Sequence, residues 1–173
     1  QTERAAASIR LELDLAKAAA DADLVIESMA ERAGDKIDFY KKLAPVLPEK
    51  TVLVTNSSSL LPTNFAKYTG RPDRYLALHF ANSIWKNNTA EIMAQPKTSQ
   101  ASFDAVMDFA RQIRMVPLPV RKEKAGYLLN SMLIPMLFSA MDLYVNGISA
   151  PESIDKAWTL GTGSPKGPFR ILD

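Results

Sequence analysis

A single histidine is the side chain in this sequence that is best suited to move a proton at neutral pH. His79 is the one histidine among 173 residues, and an imidazole can both accept and return a proton near neutrality. Glu91 lies twelve residues further on and is a natural partner, because a carboxylate on one ring nitrogen leaves the other nitrogen free as a base. A lone histidine at a strand end is more often a satisfied core or rim residue, so general-base chemistry is one of two interpretations of His79.

Further polar side chains follow the predicted strands at their carboxyl ends. The β-branched residues 51–55 run directly into the cluster Asn-Ser-Ser-Ser at residues 56–59, and Glu27 follows a short apolar run. His79 lies near the end of a third run, at residues 75–80. In open α/β sheets, ligands bind beyond the carboxyl ends of the strands. The sequence therefore places Glu27, the serine cluster and His79 where a ligand is expected.

The composition excludes several classes of site. The chain has no cysteine, which excludes a disulfide framework, a thiolate nucleophile and a Cys-ligated metal. One histidine is too few for a His-rich metal site, so we expect no metal. Twenty-one basic and nineteen acidic side chains give a net charge of +2 and are scattered along the chain, so we expect no nucleic-acid partner.

The same features bear on the cellular setting. The N-terminal residues contain no apolar signal core, so we expect no export signal. The most apolar run, residues 127–141, is shorter than the roughly twenty residues that cross a bilayer, so we expect a buried helix there and no membrane partner. A reducing, cytoplasmic setting fits the absence of cysteine.

Apolar periodicity predicts alternating strands and helices over residues 1–121. Period-2 alternation predicts an edge strand at residues 9–13. β-Branched or apolar runs predict further strands at residues 24–26, 51–55, 75–80, 89–94 and 116–120. Helical spacing of apolar residues predicts helices at residues 35–47, 61–68 and 99–114. This alternation favours an α/β layered domain with a mainly parallel sheet.

The character of the sequence changes after residue 121. Residues 126–145 form one long apolar helical pattern, and Pro151 begins another helix. We therefore divide the chain into an α/β domain at residues 1–121 and the start of a helical domain at residues 122–173. The chain ends just after a further helix begins, so we expect the second domain to be cut short.

Five short motifs occur in a fixed order along nearly the whole chain. They are DLVIESMAE at residues 23–31, NSSSL at 56–60, LHFAN at 78–82, AGYLLN at 125–130 and GTGSPKGPF at 161–169. Together, in this order and with these spacings, they resemble the 3-hydroxyacyl-CoA dehydrogenase family. The resemblance implies an incomplete Rossmann-like NAD-binding domain followed by the beginning of an all-helical domain.

The resemblance also implies a reaction and four catalytic residues. In that family, the 3-hydroxyl of an (S)-3-hydroxyacyl-CoA is oxidised to a ketone while hydride passes to NAD, as in fatty-acid β-oxidation or butanoate-type metabolism. His79 matches the catalytic base, and Glu91 matches the carboxylate that orients it. Ser58 matches a serine that hydrogen-bonds the substrate oxygen, and Asn130 matches an amide that polarises that oxygen. Without the resemblance, Ser58 is a turn or helix-cap serine.

Cofactor contacts and an oligomeric state follow from the same resemblance. Ser58 and Asn82 match residues near the nicotinamide, and Glu31 and Lys36 match cofactor contacts at the edge of the domain. For Glu31 and Lys36 the alternative is a solvated helix face. The resemblance further implies a homodimer joined through the helical domain, whose first helix is apolar on more than one face.

Two departures from the family pattern leave other functions open. The family usually has His-Phe-Phe-Asn-Pro, where residues 79–88 here read HFANSIWKNN. This difference is compatible with a relative that acts on a non-CoA 3-hydroxy acid, such as a sugar acid. The glycine-rich strand-turn motif with which the family begins does not occur in this sequence. We therefore expect these residues alone to be inactive, and a third interpretation is a non-catalytic piece that only packs or dimerises.

Overall fold

The computed structural model describes residues 7–173 and divides into two compact units. The first unit extends to Tyr127, and the second is Leu128–Asp173. The strands of the first unit are β1 (Leu24–Glu27), β2 (Val52–Thr55), β3 (Tyr75–Phe80), β4 (Thr89–Ala94) and β5 (Val116–Val120). Its helices are α1 (Leu15–Ala19), α2 (Ala33–Leu43) and α3 (Gln100–Gln112), with 3-10 turns at Pro62–Asn64, Ala66–Tyr68 and Pro72–Arg74.

The five strands form one sheet in which neighbours in the chain are also neighbours in space. β1, β2 and β3 are parallel, β4 is antiparallel to β3, and β5 is parallel to β4. A parallel neighbour needs a crossover of about a dozen residues or more, which α2, the 3-10 turns and α3 provide. Only residues 81–88 separate β3 from β4, and so short a connection joins two antiparallel strands. The α/β prediction with a mainly parallel sheet is confirmed.

Both faces of the sheet are covered, as expected for parallel strands. Successive residues of β3 point to opposite faces. Tyr75 packs in one cluster with Tyr40 of α2, and Leu76 packs in another with Val106 of α3. His79 has the same parity as Tyr75 and therefore lies on the α2 side of the sheet. The sheet thus separates two apolar layers, and the catalytic candidate projects from one of them.

The strand predicted at residues 9–13 is wrong. These residues form no strand, and the side chains of Leu11 and Leu13 are fully exposed. Asp14 instead begins helix α1, because its carboxylate accepts a hydrogen bond from the backbone N–H of Lys17 at 3.0 Å. An alternating pattern is a local property, whereas a strand also needs a neighbouring strand to pair with.

Other boundaries shift by smaller amounts. Residues 61–68 form two 3-10 turns in place of the predicted helix, and α2 ends at Leu43. β1 is less covered than expected, since Ile26 is 38% exposed at the edge of the sheet. The strands predicted at residues 75–80, 89–94 and 116–120 are confirmed at both ends.

The second unit consists of α4 (Leu129–Val145), α5 (Pro151–Thr162) and α6 (Pro168–Leu172). Gly163 ends α5 in the left-handed conformation that favours glycine, with φ of 73°. The carboxylate of Asp155 in α5 accepts hydrogen bonds from the N–H groups of Phe169 and Arg170, at 2.8 and 3.1 Å, and so holds the first turn of α6. Within residues 7–173, no helix combines the length and apolar character needed to cross a membrane.

Candidate active site

The register of β3 and β4 places His79 directly opposite Glu91. The imidazole Nδ1 lies 3.0 Å from Glu91 Oε2, and both side chains are almost fully buried. An ionised carboxylate can only accept a hydrogen bond, so Nδ1 carries the proton and Nε2 of neutral His79 is left as an acceptor. This is the tautomer that a general base requires.

Ser58 completes a series of three hydrogen-bonded side chains. Its Oγ lies 3.0 Å from His79 Nε2, so the hydroxyl donates to the nitrogen that Glu91 leaves free. Ser58 follows β2 and is exposed, whereas His79 is buried. The site therefore presents a hydroxyl and an imidazole nitrogen side by side, with the rest of the imidazole held inside the protein.

The order Ser–His–carboxylate also occurs in enzymes with a serine nucleophile. Such enzymes need backbone N–H groups aimed at the developing oxyanion, commonly those next to the serine. Here the N–H of Ser59 donates to Glu31 Oε1 at 2.8 Å, and the N–H of Leu60 donates to Ser57 Oγ at 3.0 Å. These two N–H groups already donate to Glu31 and Ser57, so the arrangement favours a base and a substrate-binding hydroxyl over a nucleophile.

Glu31 holds the loop at residues 56–60, here called the serine loop, on both sides of Ser58. Its Oε1 accepts hydrogen bonds from the hydroxyls of Ser57 and Ser59, at 2.5 and 2.9 Å, in addition to the N–H of Ser59. Partial burial acts to raise the pKa of Glu31, but these hydrogen bonds and the charge of Lys36 outweigh it and lower the pKa to about 2. Glu31 therefore stays ionised and keeps the loop in place.

A buried polar network lies beneath this loop, and the sequence analysis did not identify it. Glu27 at the end of β1 accepts hydrogen bonds from Lys36 Nζ, Thr55 Oγ1 and Tyr40 Oη, each at 2.7 Å. Burial opposes ionisation of Glu27, but these donors outweigh it, so the pKa of Glu27 is lowered. The Tyr40 hydroxyl also lies 2.9 Å from that of Tyr75, and burial raises the pKa of Tyr40.

Lys36 does not lie on a solvated helix face. Its side chain is 1% exposed, pairs with Glu27 at 2.7 Å and lies 3.6 Å from Glu31 Oε2. A lysine buried without a partner would lose its charge, so Glu27 accounts for its presence inside the fold. Lys36 thus joins the buried network to the carboxylate that holds the serine loop.

Tyr127 also belongs to the surroundings of His79, although the sequence analysis gave it no role. Its ring stacks on the imidazole, with centroids 4.4 Å apart and planes 18° from parallel. Its hydroxyl donates to the carbonyl oxygen of Ser57 at 2.8 Å. Tyr127 lies in the motif at residues 125–130, and its aromatic ring was the only signal that could have singled it out.

The remaining site candidates, Asn82 and Asn130, lie elsewhere in the chain. Asn82 is exposed in the connection between β3 and β4, where its carbonyl accepts a hydrogen bond from Asn87 Nδ2 at 2.8 Å. Asn130 lies in the first turn of α4, in the second unit. The first unit therefore brings together Ser58, His79 and Glu91. Among residues 7–173, no cluster of three or more acidic or histidine side chains could hold a metal ion.

The side chains at the carboxyl ends of the strands are of the chemical types that bind a dinucleotide cofactor. The carboxyl ends of parallel strands β1 and β2 present Glu31 and the serine loop at one edge of the sheet, which is where nucleotides bind in such folds. A carboxylate such as that of Glu31 can accept hydrogen bonds from ribose hydroxyls. The Ser58 hydroxyl can form a hydrogen bond with the nicotinamide end of the cofactor. When bound, NAD supplies the acceptor for a hydride.

Family comparisons cover both units. The model for "3-hydroxyacyl-CoA dehydrogenase, NAD binding domain" matches residues 1–124, and the model for "3-hydroxyacyl-CoA dehydrogenase, C-terminal domain" matches residues 126–173. The human mitochondrial hydroxyacyl-coenzyme A dehydrogenase is 35% identical over 171 residues, which are 99% of this chain and 54% of that protein. A 3-hydroxybutyryl-CoA dehydrogenase from Clostridioides difficile is 37% identical over 153 residues, 88% of this chain and 54% of that protein.

Solved structures with the same fold include one of higher identity. A diketoreductase, studied for substrate-directed dual catalysis of dicarbonyl compounds, is 53% identical with a TM-score of 0.96, over 98% of this chain and 60% of that one. The (S)-3-hydroxybutyryl-CoA dehydrogenase from Ralstonia eutropha is 30% identical with a TM-score of 0.90, over 96% of this chain and 58% of that one. The chain thus spans somewhat more than half the length of these relatives.

Proposed function

The chain belongs to the 3-hydroxyacyl-CoA dehydrogenase family and carries its NAD-binding domain, and we propose that the whole protein oxidises a 3-hydroxyl group to a ketone with NAD. The observation that carries this proposal is the hydrogen-bonded series from Ser58 through His79 to Glu91, with both bonds at 3.0 Å. A secondary alcohol needs a base for its O–H proton. Nε2 of His79 is such a base, next to a hydroxyl that can hold the alcohol oxygen.

In the proposed reaction, the substrate hydroxyl replaces the Ser58 hydroxyl as the donor to His79 Nε2, and the Ser58 hydroxyl turns to donate to the substrate oxygen. The O–H proton passes to Nε2 as the C=O bond forms, and NAD, when bound, would accept the hydride that leaves C3. Glu91 stabilises the resulting imidazolium through Nδ1–H. We assign Ser58 as a donor to the oxygen as it becomes a carbonyl. The role of Asn130 as a second donor stays a prediction from the resemblance. In the reverse direction, His79 returns the proton to the ketone oxygen.

We propose cofactor contacts for Glu31, Lys36, Ser58 and Asn82. Glu31 is the best supported of these, because its side chain is 36% exposed and reaches the edge of the sheet. Lys36 is buried, so we infer that it acts indirectly, through the ion pair with Glu27 and by partly offsetting the charge of Glu31. The contact of Asn82 remains a prediction from the resemblance.

An acyl-CoA thioester is the substrate class that we propose first. Relatives named as hydroxyacyl-CoA or 3-hydroxybutyryl-CoA dehydrogenases match 88–99% of this chain, which supports an (S)-3-hydroxyacyl-CoA. Such a substrate places the enzyme in fatty-acid β-oxidation or butanoate-type metabolism. We also propose a homodimer formed through the helical unit, where Met132, Phe138 and Val145 of α4 are each more than 60% exposed. The cytoplasmic setting stays a prediction.

A second substrate class is a dicarbonyl compound or a 3-hydroxy acid without CoA. It is favoured by the 53% identity with a diketoreductase, which exceeds the identity with the CoA dehydrogenases. The connection at residues 81–88 also differs from the usual family pattern and presents Trp85, which is 79% exposed, next to Lys86. The chemistry at His79 would be the same for both classes, because each contains a carbonyl or hydroxyl at the reacting carbon.

The two classes can be separated with purified whole protein. NADH formation is followed with 3-hydroxybutyryl-CoA and with free 3-hydroxybutyrate, and NADH consumption with a dicarbonyl compound that carries no CoA. A kcat/KM at least about tenfold higher for the CoA thioester supports the first class, and the opposite order supports the second. His79→Gln is the control and should lower kcat by about two to four orders of magnitude with any productive substrate. If none of these substrates supports NAD-linked turnover, the proposed function is wrong.

A further inference from the structure

Tyr127 contacts both His79 and Ser57, the residue that precedes Ser58 in the serine loop. Its ring covers one face of the His79 imidazole at 4.4 Å between centroids, and its hydroxyl holds the Ser57 carbonyl at 2.8 Å. Tyr127 itself is 1% exposed. Burial raises the pKa of the Tyr127 hydroxyl above its usual range, so the hydroxyl remains a donor throughout the pH range of an assay. One rigid side chain therefore connects the imidazole to the loop that carries Ser58.

The backbone at Tyr127 is strained, which indicates that its position is enforced by its surroundings. Gly126 has φ of 81° and Tyr127 has φ of 52°, so two consecutive residues adopt left-handed conformations. This region of backbone conformation is unfavourable for a residue that has a Cβ atom. Strain of this kind persists only where the surrounding packing enforces the conformation. The ring is fixed by Ala77, Met93 and Val120, which form a buried cluster with it on the same side of the sheet.

We propose that Tyr127 is a positioning residue that sets the geometry between the base His79 and the hydroxyl of Ser58, an inference that rests on the proposed function. Hydrogen bonds at Nδ1 and Nε2 hold the imidazole within its plane but leave it able to tilt about the line that joins the two nitrogens. A ring stacked 18° from parallel opposes that tilt. The hydrogen bond from the Tyr127 hydroxyl to the Ser57 carbonyl holds the residue next to Ser58. It therefore keeps the Ser58 hydroxyl close to Nε2 of His79.

Two substitutions separate the contributions of the ring and the hydroxyl. Tyr127→Phe keeps the stacked ring and removes the tie to Ser57, and we expect kcat to fall by about threefold. Tyr127→Leu removes both, and we expect kcat to fall by about thirtyfold, since small displacements of a catalytic group can cost about two orders of magnitude. KM for NAD should change by less than about twofold in both. Tyr68→Leu, at a half-buried tyrosine outside the site, is the matched control and should retain parental kcat.

Spectroscopy of the imidazole tests the same inference without turnover. These 173 residues contain one histidine, and the signals that disappear in His79→Gln assign it in the whole protein. In ¹⁵N-labelled parent protein, we expect a protected Nδ1–H proton, because Nδ1 is hydrogen-bonded to the buried Glu91 carboxylate. Tyr127→Leu should weaken the Nδ1–H signal by exchange with water and shift the ring carbon-bound protons downfield, because the stacked ring no longer shields them. Tyr127→Phe should restore both signatures.

The outcomes distinguish positioning from a purely structural role. A loss of kcat in Tyr127→Leu that exceeds the loss of folded protein, together with altered imidazole signals and recovery in Tyr127→Phe, supports the proposal. Parental kcat and an unchanged imidazole spectrum in Tyr127→Leu overturn it, as does a loss of activity that only matches the unfolded fraction. If the parent protein shows no NAD-linked turnover, the proposed function fails, and the imidazole spectra still decide whether Tyr127 orients His79.

Discussion

Replacing Glu91 with glutamine isolates the electrostatic part of the proposed mechanism. The carboxylate lies 3.0 Å from His79 Nδ1, and both side chains are buried, so little solvent screens the pair. The glutamine side chain has nearly the same shape, and its amide oxygen could still accept the Nδ1–H hydrogen bond. The substitution therefore removes the negative charge that stabilises the imidazolium while leaving the packing almost unchanged.

The size of the effect follows from the charge pair. With about 4 Å between the charge centres and an effective dielectric constant of about 20, Coulomb's law gives about 4 kcal/mol. A loss of that size in the transition state lowers the rate by about three orders of magnitude. The proton transfer is incomplete in the transition state, and the amide still provides a dipole. We therefore expect Glu91→Gln to lower kcat by about a hundred- to a thousandfold.

The assay is steady-state NADH formation by the whole protein, with KM measured separately for NAD and for the alcohol. We expect KM for NAD within about threefold of the parent value, because Glu91 contacts the base and lies outside the residues proposed to hold NAD. Glu49→Gln removes an exposed carboxylate in the same unit and should leave kcat unchanged. A Glu91→Gln enzyme with kcat within threefold of the parent would refute the assignment of Glu91 as the carboxylate that supports the base.

Three further predictions concern the serine loop and the buried network. Ser58→Ala should lower kcat by about ten- to a hundredfold, since one donor to the substrate oxygen is lost, and stopped-flow or steady-state rates would measure it. Lys36→Met leaves the Glu27 carboxylate buried without its cation and should lower the free energy of unfolding in urea by about 3 to 5 kcal/mol; adding Glu27→Gln should recover much of this. Ionised Glu31 stabilises the fold above its unfolded pKa of 4.5, and this contribution is lost as the pH falls toward about 2. Between pH 5 and about 3, urea unfolding of Glu31→Gln should therefore depend less on pH than that of the parent protein.

The sequence predicts the strand that carries Glu91 correctly, but it does not predict the contact with His79. Residues 89–94 have the composition of a strand, and the structure has β4 at those positions. Whether β4 lies next to β3, and with which register, depends on how the whole sheet assembles. A shift by one residue would turn Glu91 to the opposite face, so periodicity alone could only propose the pair.

The buried network was missed because a lysine in an amphipathic helix usually faces solvent. Yet Lys36, Tyr40 and Leu43 are the buried residues of α2, and their spacing of four and three is that of one helix face. The pattern therefore contains a signal: a lysine on the same stripe as two large apolar or aromatic residues needs a buried carboxylate. Glu27, at the end of the preceding strand, is the acidic residue that the fold brings to it.

The ladder between β3 and β4 explains how the base can be kept while the neighbouring loop changes. Ala77 pairs with Met93, His79 with Glu91, and Phe80 with Ala90, so the pair of His79 and Glu91 is held by strand pairing on both sides. Residues 81–88 only close the hairpin, and their length and composition do not set the distance between the imidazole and the carboxylate. One of the two departures of this chain from the family pattern lies in that connection. Under the proposed mechanism, this departure bears on which substrate is bound next to His79 and leaves the proton transfer at His79 unchanged.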